Sequence, residues 1–301
     1  MENFFDCIDD TLTNDDDFTP LGAYHWSRKR FDKKKADIAK ILLAIGQSDP
    51  PVIVGLCEIE NARVLNALCK DTPLRPYGYR FVHHDSKDRR GVDVAMLYRP
   101  DYFLVFEQKN IPVDLSEPHE YTRDILYVGG LLGTDTLHCF VCHFPSKRGG
   151  KQSARFRTEV ALTLRKNIDS ICNTENTRIL IMGDFNASPK ESCFLSTSTE
   201  TQNNGTHHPE LVNLMQNLEQ QGSYFFQGKW EWIDHFIVSR NMLPHNNGLR
   251  LKKKSVRAAT LKPLLEYNTK HLSFVPFRTY RGPAYHGGIS DHLPIVLELI
   301  R

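Results

Sequence analysis

A chain of 301 residues has room for one large domain or two small ones and can bury a substantial core. Its 40% apolar and 25% charged residues are ordinary for a globular protein, and 38 basic against 36 acidic residues leave a net charge of +2 that names no partner. No apolar stretch is long enough to span a membrane as a helix, and no signal-peptide pattern opens the chain.

The start is acidic at Asp15, Asp16 and Asp17, while residues 28–40 and 250–257 are basic. Such runs read as solvated faces. Phe31, Ile38, Ile41, Leu42 and Ile45 recur at helical spacing, and Gly46 with Pro50-Pro51 ends that helix. Residues 52–58, "VIVGLCE", read as a buried strand, and 61–70 as a second helix. "YRFVHH", "VDVAMLYR", "YFLVFEQ", "DILYVGGLL" and "LHCFVCHF" follow as strands. Cys139 and Cys142 have C-x-x-C spacing, but inside that apolar run they read as buried thiols; seven cysteines suggest no disulfide framework. Val160, Ala161, Leu164, Ile168 and Ile171 mark a long helix, and "RILIMG" the next strand. Residues 196–228 read as loop around a short helix at 210–220, before the strands "WIDHFIVS" and "LPIVLELI". Strands and helices alternate without a linker or an internal repeat. The expectation is a single α/β domain over residues 1–301.

Polar residues of catalytic type collect where these strands end or begin. They are Glu58, His143, Asp184 with Asn186, Asp234, and Asp291 with His292. Ligand sites gather at strand ends in α/β sheets. Carboxylates, an amide and histidines gathered there suit metal-assisted hydrolysis, and oxygen donors favour Mg²⁺ or Mn²⁺. Each residue alone has a plainer explanation: an Asp after a strand usually caps a turn, and a His in an apolar run is usually a satisfied core residue.

Together, "GLCEIEN" around Glu58, "CHFPS" at His143, "GDFNASP" at 183–189, "WIDHFIVS" at 232–239 and "GISDHLPI" at 288–295 resemble the endonuclease/exonuclease/phosphatase superfamily, the deoxyribonuclease-I-like hydrolases. "SKDRRGVDVAMLYRP", "YTRDIL" and "HFPSKRGG" are similar to a bacterial branch of it. The resemblance implies a four-layer α/β sandwich, two packed mixed sheets flanked by helices, with the site at one end of the cleft. It further implies that Glu58 binds Mg²⁺ or Mn²⁺ with support from Asp291. Asp184 would orient or deprotonate the attacking water, and Asn186 would hold a phosphate oxygen. His292, polarised by Asp234, and His143 would be the acid–base histidines. Asp93 would orient His143, and Arg123 would bind phosphate. The family's opening strand ends in an asparagine in a sequence like "YNVENLFD". Here "MENFFD" matches only the tail, so the N-terminal strand is expected to be truncated and the metal site incomplete.

A phosphate-ester substrate is expected, either nucleic acid or a small phosphate or lipid headgroup. A catalytically impaired binding module is the reading from another class. The basic run Lys147, Arg148, Lys151, Arg155 and Arg157 suits a nucleic-acid backbone or one multiply charged phosphate, and Arg148 is expected to bind substrate. A monomer is expected.

Overall fold

The computed structural model describes residues 1–47, 49–171, 174, 176–191, 193 and 209–301. Much of the loop expected from residue 196 therefore lies outside the described residues.

Helix α1 (Arg28–Gly46) starts at Ser27, whose side chain accepts from Arg30 N, and α2 (Ala62–Lys70) starts at Asn61, which accepts from Arg63 N and Val64 N. Such caps satisfy amide groups that the first turn leaves without partners. Between them runs β1 (Ile53–Ile59). After α2 come β2 (Arg80–His83) and β3 (Asp93–Tyr98), which join β1 in an antiparallel sheet of order β1-β3-β2. A second sheet has the order β4-β5-β6-β7-β11-β8, from β4 (Phe103–Ile111), β5 (Ile125–Leu132), β6 (Asp135–His143), β7 (Ile179–Asp184), β8 (Leu211–Asn213) and β11 (Asp234–Ser239). Among the described strands only β6 and β7 pair in parallel, and α3 (Gly150–Ile171) makes that crossover. A small hairpin, β9 (Tyr224–Phe226) and β10 (Lys229–Glu231), stands apart from both sheets.

The alternation of side chains along the strands builds four layers. Phe31, Ile38, Leu65 and Leu68 of the first two helices pack with Leu56, Ala95 and Leu97. Val94 and Met96 meet Val141, Leu180, Met182 and Phe236 between the sheets. Ile179 and Ile181, on the other face of β7, pack with Val160, Leu164 and Ile168 of α3. The molecule is the expected four-layer α/β sandwich, although the first sheet is antiparallel apart from one parallel bridge, Phe4 to Ile59.

Two expectations need correction. Residues 210–220 are not a helix: Leu211–Asn213 form β8 on the free edge of β11, and a sheet edge outcompetes the local preference. "LPIVLELI" is not one strand but two short ones, Ile295–Val296 and Leu299–Ile300, paired with Arg257–Ala258 and Arg250–Leu251. The opening residues meet β1 through a single bridge. Met1 N donates to Cys57 O at 2.8 Å and Phe4 N to Glu58 O at 3.0 Å. Beyond that bridge, no described strand pairs with the outer edge of β1. It faces Ile295–Ile300 across a cleft of about 1520 Å³ lined by Ile41 and Leu42 of α1. Cys139 and Cys142 are buried free thiols, as the sequence indicates.

Candidate active site

Sheet register assembles the centre of the site. His143 pairs with Asp184 across β6 and β7, and Asp184 pairs with Asp234 across β7 and β11. Three neighbouring strands thus present a histidine and two carboxylates in one row. Gly183 makes this possible: its φ is +142°, and a Cβ there would stand 1.9 Å from Cys142 O. Any other residue would push β6 and β7 apart just before the row.

His292 arrives from a different part of the chain. Tyr224 and His292 form an isolated antiparallel bridge, and Leu293 N donates to Ser223 O at 2.7 Å. His292 Nδ1 then meets Asp234 Oδ2 at 2.8 Å, and Ser223 Oγ donates to the same oxygen at 2.5 Å. Burial lowers the His292 pKa, but the carboxylates of Asp234, Asp291 and Asp184 override it and push the value up to about 10. His143 behaves in the opposite way. Burial, reinforced by the guanidinium groups of Arg123 and Arg90, holds it well below 6.5. Its Nε2 lies 3.5 Å from Asp184 Oδ2, and its Nδ1 is buried without a hydrogen-bond partner. Burial, with Asp234 and Glu58 nearby, raises Asp184 to about 7 against the pull of His292. Two histidines in one site are therefore held in different charge states by their surroundings.

Asn186 sits at φ +46°, a left-handed conformation that asparagine tolerates. Its amide nitrogen donates to Phe144 O at 3.0 Å and Asp184 Oδ2 at 3.1 Å, and its backbone N–H donates to Asp184 Oδ1 at 2.8 Å. Both amide hydrogens are engaged, so in this arrangement Asn186 fixes the Asp184 carboxylate. Glu58 is also at positive φ, +61°, in a bulge between Cys57 and Ile59 that turns its carboxylate into the cleft.

Glu58 and Asp291 are each held by an arginine. Arg90 Nη2 lies 3.1 Å from Glu58 Oε1, and Arg278 Nη2 lies 2.5 Å from Asp291 Oδ2. Asn3 N donates to Glu58 Oε2 at 2.8 Å, and its side-chain oxygen accepts from Arg90 at 2.9 Å. An asparagine thus stands beside Glu58, though not the one the family's opening motif supplies. Both carboxylates line the cleft and raise each other's surroundings in negative charge, an oxygen donor set that fits a hard divalent cation. Asp184, Asp234 and His292 also offer donor atoms within 4.8 Å of one another, but the His292 nitrogen that meets Asp234 is already used in their hydrogen bond.

Asp93 does not approach His143; it lies 3.6 Å from His83, and the carboxylate beside His143 is Asp184. Arg123 is buried, paired with Asp88 at 2.9 Å and donating to Phe144 O at 2.8 Å. Arg148 is exposed at the cleft rim. Arg90, Arg278, Ser223, Tyr224 and Asn3 were missed. Arg90, inside "DRRGVD", and Asn3, inside "MENFFD", lay in segments that resemble the family; the others meet the site through contacts far apart in sequence.

A family model described as the endonuclease/exonuclease/phosphatase family matches residues 1–301. The chain belongs to this family. Solved structures agree on the fold at low identity. The human Nocturnin catalytic domain with bound sulfate is 18% identical with a TM-score of 0.58, over 90% of this chain and 87% of that one. A humanized D. rerio TDP2 carrying 14 mutations is 14% identical with a TM-score of 0.57, over 91% and 94%. A mannosyl-6-phosphatase of Bacteroides thetaiotaomicron is 15% identical with a TM-score of 0.56, over 90% and 91%. No curated protein matches the chain. Members of this family are phosphoester hydrolases, generally dependent on a divalent metal. No described helix is long and apolar enough to cross a membrane.

Proposed function

We propose that this protein is a divalent-metal-dependent hydrolase of phosphate esters, acting as a phosphodiesterase of the nuclease type. The observation that carries this reading is the row His143–Asp184–Asp234 across three registered strands, with His292 hydrogen-bonded to its end. Glu58 and Asp291 would hold Mg²⁺ or Mn²⁺. When bound, that ion supplies Lewis-acid stabilisation of charge on the phosphoryl oxygens.

The chain's own residues do the rest. Asp184, with a pKa raised to about 7, is basic enough to take a proton from the attacking water. Asn186 holds that carboxylate in place. His292, kept protonated by Asp234, faces the phosphate as a cation and hydrogen-bond donor. His143 is neutral and orients Asp184 from the other side.

A second reading, a phosphatase on a small phosphate ester, has its own support. The basic run after His143 is largely neutralised. Lys147 pairs with Glu191 and Glu231, Arg155 with Glu117 and Glu159, and Arg157 with Glu191. A stripe so engaged offers little to a long polyanion. Among the structural neighbours, one D. rerio TDP2 is complexed with single-strand DNA product, and another neighbour is a mannosyl-6-phosphatase. One screen separates the readings: plasmid DNA, a bis-aryl phosphodiester and a panel of phosphomonoesters, each with Mg²⁺, Mn²⁺ or chelator. Diester or plasmid cleavage lost in Asp184→Asn supports the first. Monoester turnover alone supports the second. No turnover of any phosphate ester by well-folded protein defeats both.

A further inference from the structure

A second cluster of potential ligands lies outside the site described above, at the end of the first sheet. His83 closes β2 and Asp93 opens β3, with residues 84–92 looping between them. The His83 side chain is 3% exposed, and its Nε2 has no hydrogen-bond partner. Asp93 Oδ2 lies 3.6 Å from that nitrogen, too far for a hydrogen bond. Asp93 is itself buried, and its other oxygen accepts from Ser86 N at 3.0 Å. Asp85 Oδ1 lies 3.9 Å from the other ring nitrogen, His83 Nδ1, on a side chain that is 85% exposed and must swing round to reach the Nε2 side. One donor atom from each of the three residues falls within 4.8 Å of the others.

A buried imidazole nitrogen without a partner carries a desolvation cost that most folds avoid. Here it points toward a buried carboxylate with a gap too long for direct bonding. An ion between them satisfies both. We propose that His83 Nε2, Asp93 and Asp85 form a structural divalent-metal site that takes Zn²⁺ or Co²⁺ in preference to Mg²⁺.

The chemistry of the donors sets that preference. One imidazole and two carboxylates, completed by a water as fourth ligand, would be a zinc-type set. Mg²⁺ favours oxygen donors and is reluctant to shed its waters. Affinity at a mixed nitrogen and oxygen site rises along the first-row divalent series toward Zn²⁺. Asp93 and His83 are fixed by the sheet, while Asp85 is exposed and its side chain can rotate to close the set.

The site has a job in the fold. It ties together the two ends of the loop 84–92. That loop carries Asp88, which pairs with buried Arg123, and Arg90, which pairs with Glu58. A metal at the loop's base would hold Arg90 in register with the Glu58 carboxylate without touching substrate.

The experiment measures metal content rather than turnover, so its outcome is separate from that of the proposed hydrolase function. Full-length protein, stripped by chelator and desalted, is titrated with Co²⁺ and Zn²⁺ in excess Mg²⁺. Binding is read by visible absorption and by metal analysis after gel filtration. Parent protein is expected to hold one more equivalent of Co²⁺ than His83→Gln. Asp85→Asn is expected to bind that equivalent at least about tenfold more weakly. Hydrogen exchange in residues 84–92 is expected to slow on Zn²⁺ addition in the parent and not in either variant. Asp85 is exposed, so its variant tests the site even if His83→Gln fails to fold. Equal Co²⁺ stoichiometry and affinity in parent and Asp85→Asn, with no change in exchange, would overturn the proposal.

Discussion

His292 Nδ1 and Asp234 Oδ2 are 2.8 Å apart, and the same Asp234 oxygen also accepts from Ser223 Oγ. The serine aims the carboxylate and the carboxylate holds the imidazole, so these residues act as a unit. His292→Ala is expected to lower kcat by on the order of 10²–10⁴-fold, the range for lost acid–base catalysis. Asp234→Asn should cost nearly as much, and the double variant little more than either single one, because grouped catalytic residues are not additive. Steady-state kinetics of the three variants test this; full additivity would separate the two residues.

Metal dependence follows from the oxygen donors Glu58 and Asp291. Activity is expected to vanish in excess chelator and return with Mg²⁺ or Mn²⁺. Glu58→Gln should raise the metal concentration needed for half-maximal rate, since a neutral amide replaces a carboxylate ligand. Full turnover in excess EDTA would sink this assignment.

Much of this centre was readable in the sequence because its key groups stand at the tips of apolar runs. Asp184 and Asn186 follow "ILIMG", His143 follows "FVC", and Asp234 opens "HFIV". The apolar runs place them at strand ends, and the resemblance to the family implied that those ends meet. What could not be read are contacts made across the fold. Arg278 reaching Asp291, Arg90 reaching Glu58 and Ser223 reaching Asp234 depend on loop paths that no local pattern encodes. Asp93 was misassigned for the same reason: its place at the start of β3 was visible, but not that the strand's end faces His83. At residues 210–220 the failure was local preference against an available sheet edge. Leu211–Asn213 gain a backbone ladder with β11 that an isolated helix could not match.

Substrate size should show in the salt response. Arg148 is exposed at the cleft rim, whereas Lys147 is tied to Glu191 and Glu231. Arg148→Ala is therefore expected to raise KM more than Lys147→Ala. On duplex DNA each phosphate contact adds about 0.9 to the log–log salt slope, so losing Arg148 should flatten the slope by about that much. A flat salt response in the parent, with efficient cleavage of a small ester, favours the small-phosphate reading.

Arg123 and Asp88 form a buried ion pair with side chains only 8% and 6% exposed. Removing one partner leaves a charge buried and unpaired. Asp88→Ala is expected to cost about 3–5 kcal/mol of stability by denaturant unfolding. Replacing both residues with apolar ones should cost less than that single change. A drop below about 1 kcal/mol for Asp88→Ala would mean that water reaches the guanidinium.

His138 gives a pH test away from the site. Its ring stacks on Tyr127 and its Nδ1 lies 2.9 Å from the Tyr127 hydroxyl. Burial lowers its pKa below 6.5, only partly offset by Glu107. In the unfolded chain the imidazole therefore takes up a proton at higher pH than in the folded protein. As pH falls through about 6.5, the unfolded state binds more protons and stability declines. Above that value both states are neutral and the residue adds no pH dependence. His138→Gln keeps a polar group but removes the titration. The difference in unfolding free energy between parent and variant should be constant above about pH 7. It should shift toward the variant as pH falls below about 6. Denaturant melts at several pH values measure it directly. A difference that stays constant down to about pH 5 would mean that His138 protonates equally well in the folded protein, and that its surroundings are wetter than the stacked, hydrogen-bonded arrangement implies.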